Sequence, residues 1–86
     1  MATYKILYWQ EVPTQIRVED DSSDLDVRLS PRFMERVDIL AAQRGLQGAD
    51  EFLAQWKWSE EEDRDGTAEE VADALQAELE AKWPPV

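Results

Sequence analysis

The amino-acid sequence predicts a single α+β domain over residues 1–86, in which a small antiparallel sheet is packed on one face by three helices. The N-terminal third of the chain contains segments that are rich in β-branched and aromatic residues or that alternate between polar and apolar, as strands do. The rest of the chain carries apolar residues at helical spacing, between residues that start and stop helices. A chain of this length buries a modest core.

Three strands are predicted, an N-terminal β-hairpin and a short third strand. Residues 3–10 form the first, and the apolar run at residues 6–9 predicts that it is central in the sheet with both faces covered. A proline-containing turn at residues 11–14 connects it to the alternating segment 15–19. The alternating segment 25–29 is the third strand.

The first predicted helix has clear signals at both ends. Ser30 is expected to cap it with its hydroxyl, and Pro31 occupies the first helical position. Gly45 suits a left-handed residue just beyond the C-terminus, with Leu46 folding back on the helix. The apolar stripe consists of Phe33, Val37, Leu40 and Ala41, flanked by Met34.

Two more helices are predicted, separated by an extended stretch. A short helix over residues 49–55 is expected to bury Phe52, Leu53 and Trp56. The last helix begins at a capping box formed by Thr67 and Glu70. Its apolar stripe is Val71, Leu75, Leu79 and Trp83, and Pro84-Pro85 ends it.

Composition excludes several classes of function. The chain has no Cys and no His, which removes thiolate metal sites, thiol catalysis and the commonest general base. Twenty acidic residues against nine basic ones give a net charge of −11, so we expect neither nucleic-acid binding nor adsorption to an anionic membrane. We also expect no cofactor. Because no apolar run is long enough for a span or an export signal, the expected location is the cytoplasm.

Candidate metal and catalytic sites can be weighed from spacing. An EF-hand reading that starts at Glu61 places Ala72 where a bidentate glutamate is required, so we expect no metal site there. Glu11 is the one acid in apolar company, but a turn residue is more often exposed, and a catalytic acid needs a raised pKa. Ser30 has no base to activate it. We therefore expect no enzyme activity and assign no catalytic residue.

The aromatic residues suggest a different kind of site. An 86-residue domain has difficulty burying all its large rings, so Trp58 and Tyr4 are expected to be partly exposed beside acidic residues. Exposed Trp and Tyr next to charge is the composition of a protein-binding surface. We therefore predict partner binding by Tyr4, Trp58, Glu61 and Asp63.

Several segments resemble the small bacterial "virulence factor" domain family. They are residues 4–13, 29–33, 56–58 and 64–72, and the similarity extends from residue 3 to about residue 80. The most specific parts are Trp-Gln-Glu-Val-Pro and Trp-Lys-Trp. Larger members resemble this domain joined to HEAT-type repeats, which are protein-binding solenoids. The resemblance implies no reaction, and no functional residue is carried over from it.

The expected function is that of a non-enzymatic cytoplasmic interaction or accessory module, which docks an unidentified protein partner through aromatics in an acidic surface. A second possibility stays open: a small accessory subunit of a larger metabolic enzyme, which the family resemblance suggests is a one-carbon methyl-transfer enzyme. Mimicry of nucleic-acid phosphate would need the acids in a regular row, and the sequence spreads them over loops and helix faces. No pattern in the sequence encodes the oligomeric state.

Overall fold

A computed structural model describes residues 1–82 of the chain. It contains five strands and three helices, which confirms the predicted α+β class. Trp83 and Pro84-Pro85, predicted on and after the last helix, lie outside the described residues. In chain order the elements are β1 (Ala2–Trp9), β2 (Val12–Glu19), β3 (Asp24–Arg28), α1 (Pro31–Gln43), α2 (Ala49–Ala54), β4 (Trp56–Trp58), β5 (Glu62–Arg64) and α3 (Ala68–Lys82).

The sheet is antiparallel, with β1 in a central position as predicted. Strands β2 and β3 lie on one side of β1, in the order β3-β2-β1. Both β4 and β5 pair with the other edge of β1: β4 lies along its C-terminal half and β5 along its N-terminal half. The stretch that the sequence indicated only as extended thus supplies two sheet strands.

The predicted turn at residues 11–14 is wrong. Strand β2 begins at Val12, so the hairpin connection is only residues 10–11, and Gln10 takes a positive φ of 54° there. Pro13 lies inside the strand, where proline is tolerated at a bulge. The bulge leaves Thr14 without a partner on β1, and its hydroxyl donates to the Leu7 carbonyl at 3.0 Å.

The core lies between the sheet and the helices. Helix α3 packs mainly against β2 and β3, and α1 packs against β2. The predicted stripe of α1 is buried, and Trp9 has no exposed surface. Helix α2 is a correction: Leu53 is 65% exposed, and Phe52 and Trp56 are only partly buried. Phe52 packs beside Trp9 with ring centroids 5.4 Å apart, so one ring of this short helix reaches the core.

The helix ends follow the sequence signals closely. Gly45 has a φ of 69°, and the Leu46 amide donates to the Ala41 carbonyl at 2.8 Å, as in a Schellman motif. Thr67 and Glu70 form the predicted capping box, each accepting from the other's amide at 3.2 and 3.0 Å.

Ser30 is a partial exception. It stands at the N-cap position of α1, but its hydroxyl donates to Glu80 and does not cap the helix. The side chain therefore ties the start of α1 to α3. Among residues 1–82, no helix is both long enough and apolar enough to cross a membrane.

Candidate interaction surface

One face of the sheet is left uncovered by α3. Because successive side chains of a strand point to opposite faces, Ile16, Val18 and Tyr4 face the core while their neighbours face away. Farther along this second face, Trp9 and its register partner Val12 are fully buried. We call the remaining part of the face the open face, and none of its side chains is fully buried. It consists of Thr3, Lys5, Leu7, Gln15, Arg17, Glu19, Asp24, Asp26, Arg28, Trp58 and Asp63.

The open face corrects one prediction about β1. The apolar run at residues 6–9 predicted that both faces of this strand are covered. Leu7 instead lies on the open face and is only partly buried, whereas Trp9, two residues farther on the same side, is fully buried. The prediction therefore holds at the end of the strand and fails at Leu7. Leu7 is the register partner of Trp58 on β4, so the apolar run contributes to the open face as well as to the core.

Register aligns the side chains of the open face in three rows across the strands. The acidic row is Asp63, Thr3, Glu19 and Asp24. The cationic row is Lys5, Arg17 and Asp26. The aromatic row is Trp58, Leu7, Gln15 and Arg28. Consecutive rows are about 7 Å apart, since same-face residues of a strand are two positions apart.

Trp58 is the large aromatic of this face. Its side chain is 38% exposed, and its backbone is held by pairing with β1. The Lys5 ammonium lies 5.1 Å from the ring centroid and the Arg17 guanidinium lies 4.9 Å from it. Such contacts are worth about 0.5–1 kcal/mol each at exposed sites. Arg17 is itself fixed by Asp26 at 2.8 Å, so the indole is positioned by a chain of contacts.

Ser59 connects Trp58 to the acidic segment that follows. Its amide donates to the Ile6 carbonyl at 2.8 Å, and its hydroxyl accepts from the Ile6 amide at 2.8 Å. The hydroxyl thus replaces a backbone carbonyl in the ladder. The chain can then leave the sheet at residues 60–61 and return as β5.

The structure separates the predicted site residues into two groups. Trp58 and Asp63 share the open face, two rows and about 13 Å apart, and Glu61 lies in the connection between their strands. Tyr4 lies on the core side, where its hydroxyl donates to the Glu62 carboxylate at 2.9 Å. Burial, followed by this hydrogen bond, raises the pKa of Tyr4. A ligand on the open face would therefore not reach the Tyr4 ring.

Sequence reasoning missed the cations around Trp58. Lys5, Arg17 and Arg28 lie on the open face, although the chain is strongly acidic overall. The alternation of β1 and β2 already indicated that Lys5 and Arg17 share a face. Their proximity to Trp58 could not be predicted, because β4 was not assigned to the sheet.

A groove lies where the open face meets α1. Its volume is about 290 Å³, close to the lower limit of small-molecule sites. Met34, 41% exposed, is on its helix side, which explains why this residue flanks the buried stripe without joining it. The groove is lined by Leu7, Thr14, Gln15, Arg28, Leu29, Met34 and Trp56.

The candidate catalytic acid has the opposite of the required property. Both oxygens of Glu11 accept from the Arg44 guanidinium at 2.8 Å. Those hydrogen bonds lower the pKa of Glu11 to about 2, so its carboxyl is ionised at neutral pH. Within residues 1–82, no three acidic side chains are grouped so that they could hold a metal ion.

The two segments most specific for the family resemblance meet in the sheet. Trp9, which begins the first segment, is the register partner of Trp56, which begins the second. Just beyond this pair, the backbone amide of Gln10 donates to the backbone carbonyl of Gln55 at 3.3 Å. The motifs thus define the contact between the hairpin and β4.

Comparison with known families agrees with the resemblance. A family model described as Virulence factor matches residues 7–85. The chain belongs to the virulence factor family. No curated protein and no solved structure matches it. The virulence factor description names no reaction, ligand or partner.

Proposed function

We propose that this virulence factor family member is a cytoplasmic protein-interaction module without catalytic activity of its own, which docks a protein partner through the open face. The observation that carries the proposal is Trp58. It is a partly exposed indole on a strand, with the cations of Lys5 and Arg17 beside its ring. Trp and Arg are the side chains most enriched at binding hot spots.

Pre-organisation supports this reading. Ordering a flexible side chain on binding costs affinity, and Trp58 is already positioned by the β4 ladder and by two cations. The adjacent groove can take an apolar side chain next to the indole, because Leu7 borders both. A partner residue in the groove would thus lie beside the aromatic row.

Charge on the open face favours one partner orientation. The acidic row lies at one end, while Lys5, Arg17 and Arg28 lie in the other two rows. We expect the partner to place basic side chains over the acidic row and a carboxylate near Trp58. The net charge of −11 would steer the basic part of the partner toward the surface at a distance.

Affinity capture from the chain's own host tests the proposal. Tagged wild type, Trp58→Ala and Leu53→Ala are compared at low and at high salt, with mass spectrometry of the proteins that co-elute. Leu53 is the matched control, since it is an exposed apolar residue outside the open face. The proposal expects a protein that Trp58→Ala loses and Leu53→Ala retains, and less of it at high salt.

Melting temperature separates loss of binding from loss of fold. Trp58→Ala should remain folded, with a much smaller loss of stability than a core substitution. Retention of the same protein by Trp58→Ala would overturn the proposal.

Charge reversal at Glu61 and Asp63 should weaken capture as well, more at Asp63 because it lies on the open face. If the captured protein is a metabolic enzyme, this chain is its accessory subunit.

A further inference from the structure

Strand β3 forms one edge of the sheet. It pairs with β2 on one side, and within residues 1–82 no strand pairs with its other side. An edge strand presents unpaired backbone N–H and C=O groups, which can pair with another strand.

The hydrogen bonds between β2 and β3 show which backbone groups of β3 point outward. The Leu29 amide donates to the Thr14 carbonyl at 3.0 Å, one step beyond the Gln15–Arg28 register pair. Hydrogen-bonded pairs alternate along an antiparallel ladder, so Leu25 and Val27 also direct their backbone groups toward β2. The backbone groups of Asp24, Asp26 and Arg28 therefore point away from the sheet. All three are exposed residues.

We propose that two copies of this chain associate through β3, antiparallel and two-fold symmetric about Asp26. In this register Asp24 of each copy faces Arg28 of the other, and each outward residue faces an outward residue. Each facing pair of this kind exchanges two backbone hydrogen bonds, giving about six in total. The two sheets become one continuous sheet with the open faces on the same side.

The side chains of β3 suit this partner. On the open face, the register creates two Asp24–Arg28 pairs of opposite charge, which stabilise cross-strand contacts. On the core side, Leu25 faces Val27 of the other copy, and both are partly buried apolar residues packed against the core. A strand whose ends carry opposite charges and whose core side is apolar is complementary to itself.

The centre of the interface opposes association. Asp26 faces Asp26 of the other copy, and each is already bonded to its own Arg17 at 2.8 Å. The two copies also carry −11 each. A single pair of five-residue strands buries little area, so the dimer should be weak and concentration-dependent. Asp26→Asn should tighten it.

A charge swap tests the proposal. Sedimentation equilibrium is run on the full chain from about 10 µM to about 1 mM, a range chosen for weak association. Arg28→Asp and Asp24→Arg should each weaken the wild-type dimer on the order of tenfold or more, because two attractive pairs become repulsive. The double variant Asp24→Arg/Arg28→Asp restores both pairs and should dimerise like wild type. Circular dichroism checks that each variant is folded.

Amide hydrogen exchange gives a readout that needs no variant. The Asp26 and Arg28 amides should exchange fast in dilute solution and become protected at high concentration, while Leu25 and Val27 are protected at both. A wild type that stays monomeric at about 1 mM overturns the proposal. So does a dimer that the single substitutions leave unchanged or that the double variant fails to restore. The inference does not depend on the docking function of Trp58.

Discussion

At the scale of single residues, the two tryptophans of β1 and β4 have different roles. Trp9 is fully buried, and its indole N–H donates to the Phe52 carbonyl at 3.0 Å. Trp58 is 38% exposed and touches cations on the opposite face of the sheet from α3. One is a structural residue, and the other is the proposed contact with a partner.

This difference predicts unequal effects on stability. Trp9→Phe loses the hydrogen bond and leaves a void, and should lower the free energy of unfolding by about 2–4 kcal/mol. Trp58→Phe keeps an aromatic ring beside the two cations and should cost less than about 1 kcal/mol. Urea denaturation measures both. Equal losses would show that Trp58 is a core residue and would remove the basis of the proposed site.

Glu11 predicts a specific response to acid. Its pKa is lowered to about 2 by the Arg44 hydrogen bonds, so the contribution of this pair is complete above the ordinary value near 4.5. It is lost as the pH falls through about 2. Arg44→Gln should return the pKa of Glu11 toward its ordinary value and weaken stability at neutral pH.

NMR titration of the Glu11 carboxyl in wild type and Arg44→Gln measures this shift directly. We expect a midpoint near 2 in wild type and a clearly higher one in the variant. Because both side chains are substantially exposed, the effect on melting temperature should be small. A midpoint that is the same in both proteins would contradict the assigned pairing.

At the scale of elements, the sheet was only partly predictable. The hairpin and β3 follow from alternation and β-branched residues, and α1 and α3 follow from their stripes and end signals. Strands β4 and β5 have three residues each, too few for a periodic pattern, and the Glu-Asp-Arg of β5 has low β-propensity. They form because the free edge of β1 pairs with them, and this pairing joins residues that are distant in the sequence.

The Ser59 hydroxyl accepts a hydrogen bond from β1 between the segments that pair with β4 and β5. Ser59→Ala should leave the Ile6 amide without its acceptor and lower the free energy of unfolding by about 1–2 kcal/mol. Ser59→Thr keeps the hydroxyl and serves as the matched control. Amide exchange should show faster exchange at Ile6 in the alanine variant only. Identical exchange in both variants would mean that β4 and β5 do not need this bond.

At the scale of the whole molecule, composition did not predict the charge of the open face. A net charge of −11 predicted an acidic binding surface, yet three basic side chains lie on the open face and two contact Trp58. Their grouping depends on the register of β1 with β2 and β4, and β4 was not assigned to the sheet. The sequence did indicate Trp58 as exposed, and the structure shows where.

Site-specific photo-crosslinking in the host tests whether Trp58 contacts a protein partner. The photoreactive residue p-benzoyl-phenylalanine is placed at position 58, and at position 53 as the exposed apolar control. We expect a discrete cross-linked protein from position 58 that is absent from position 53. No cross-linked protein from position 58, or the same set from both positions, would contradict it.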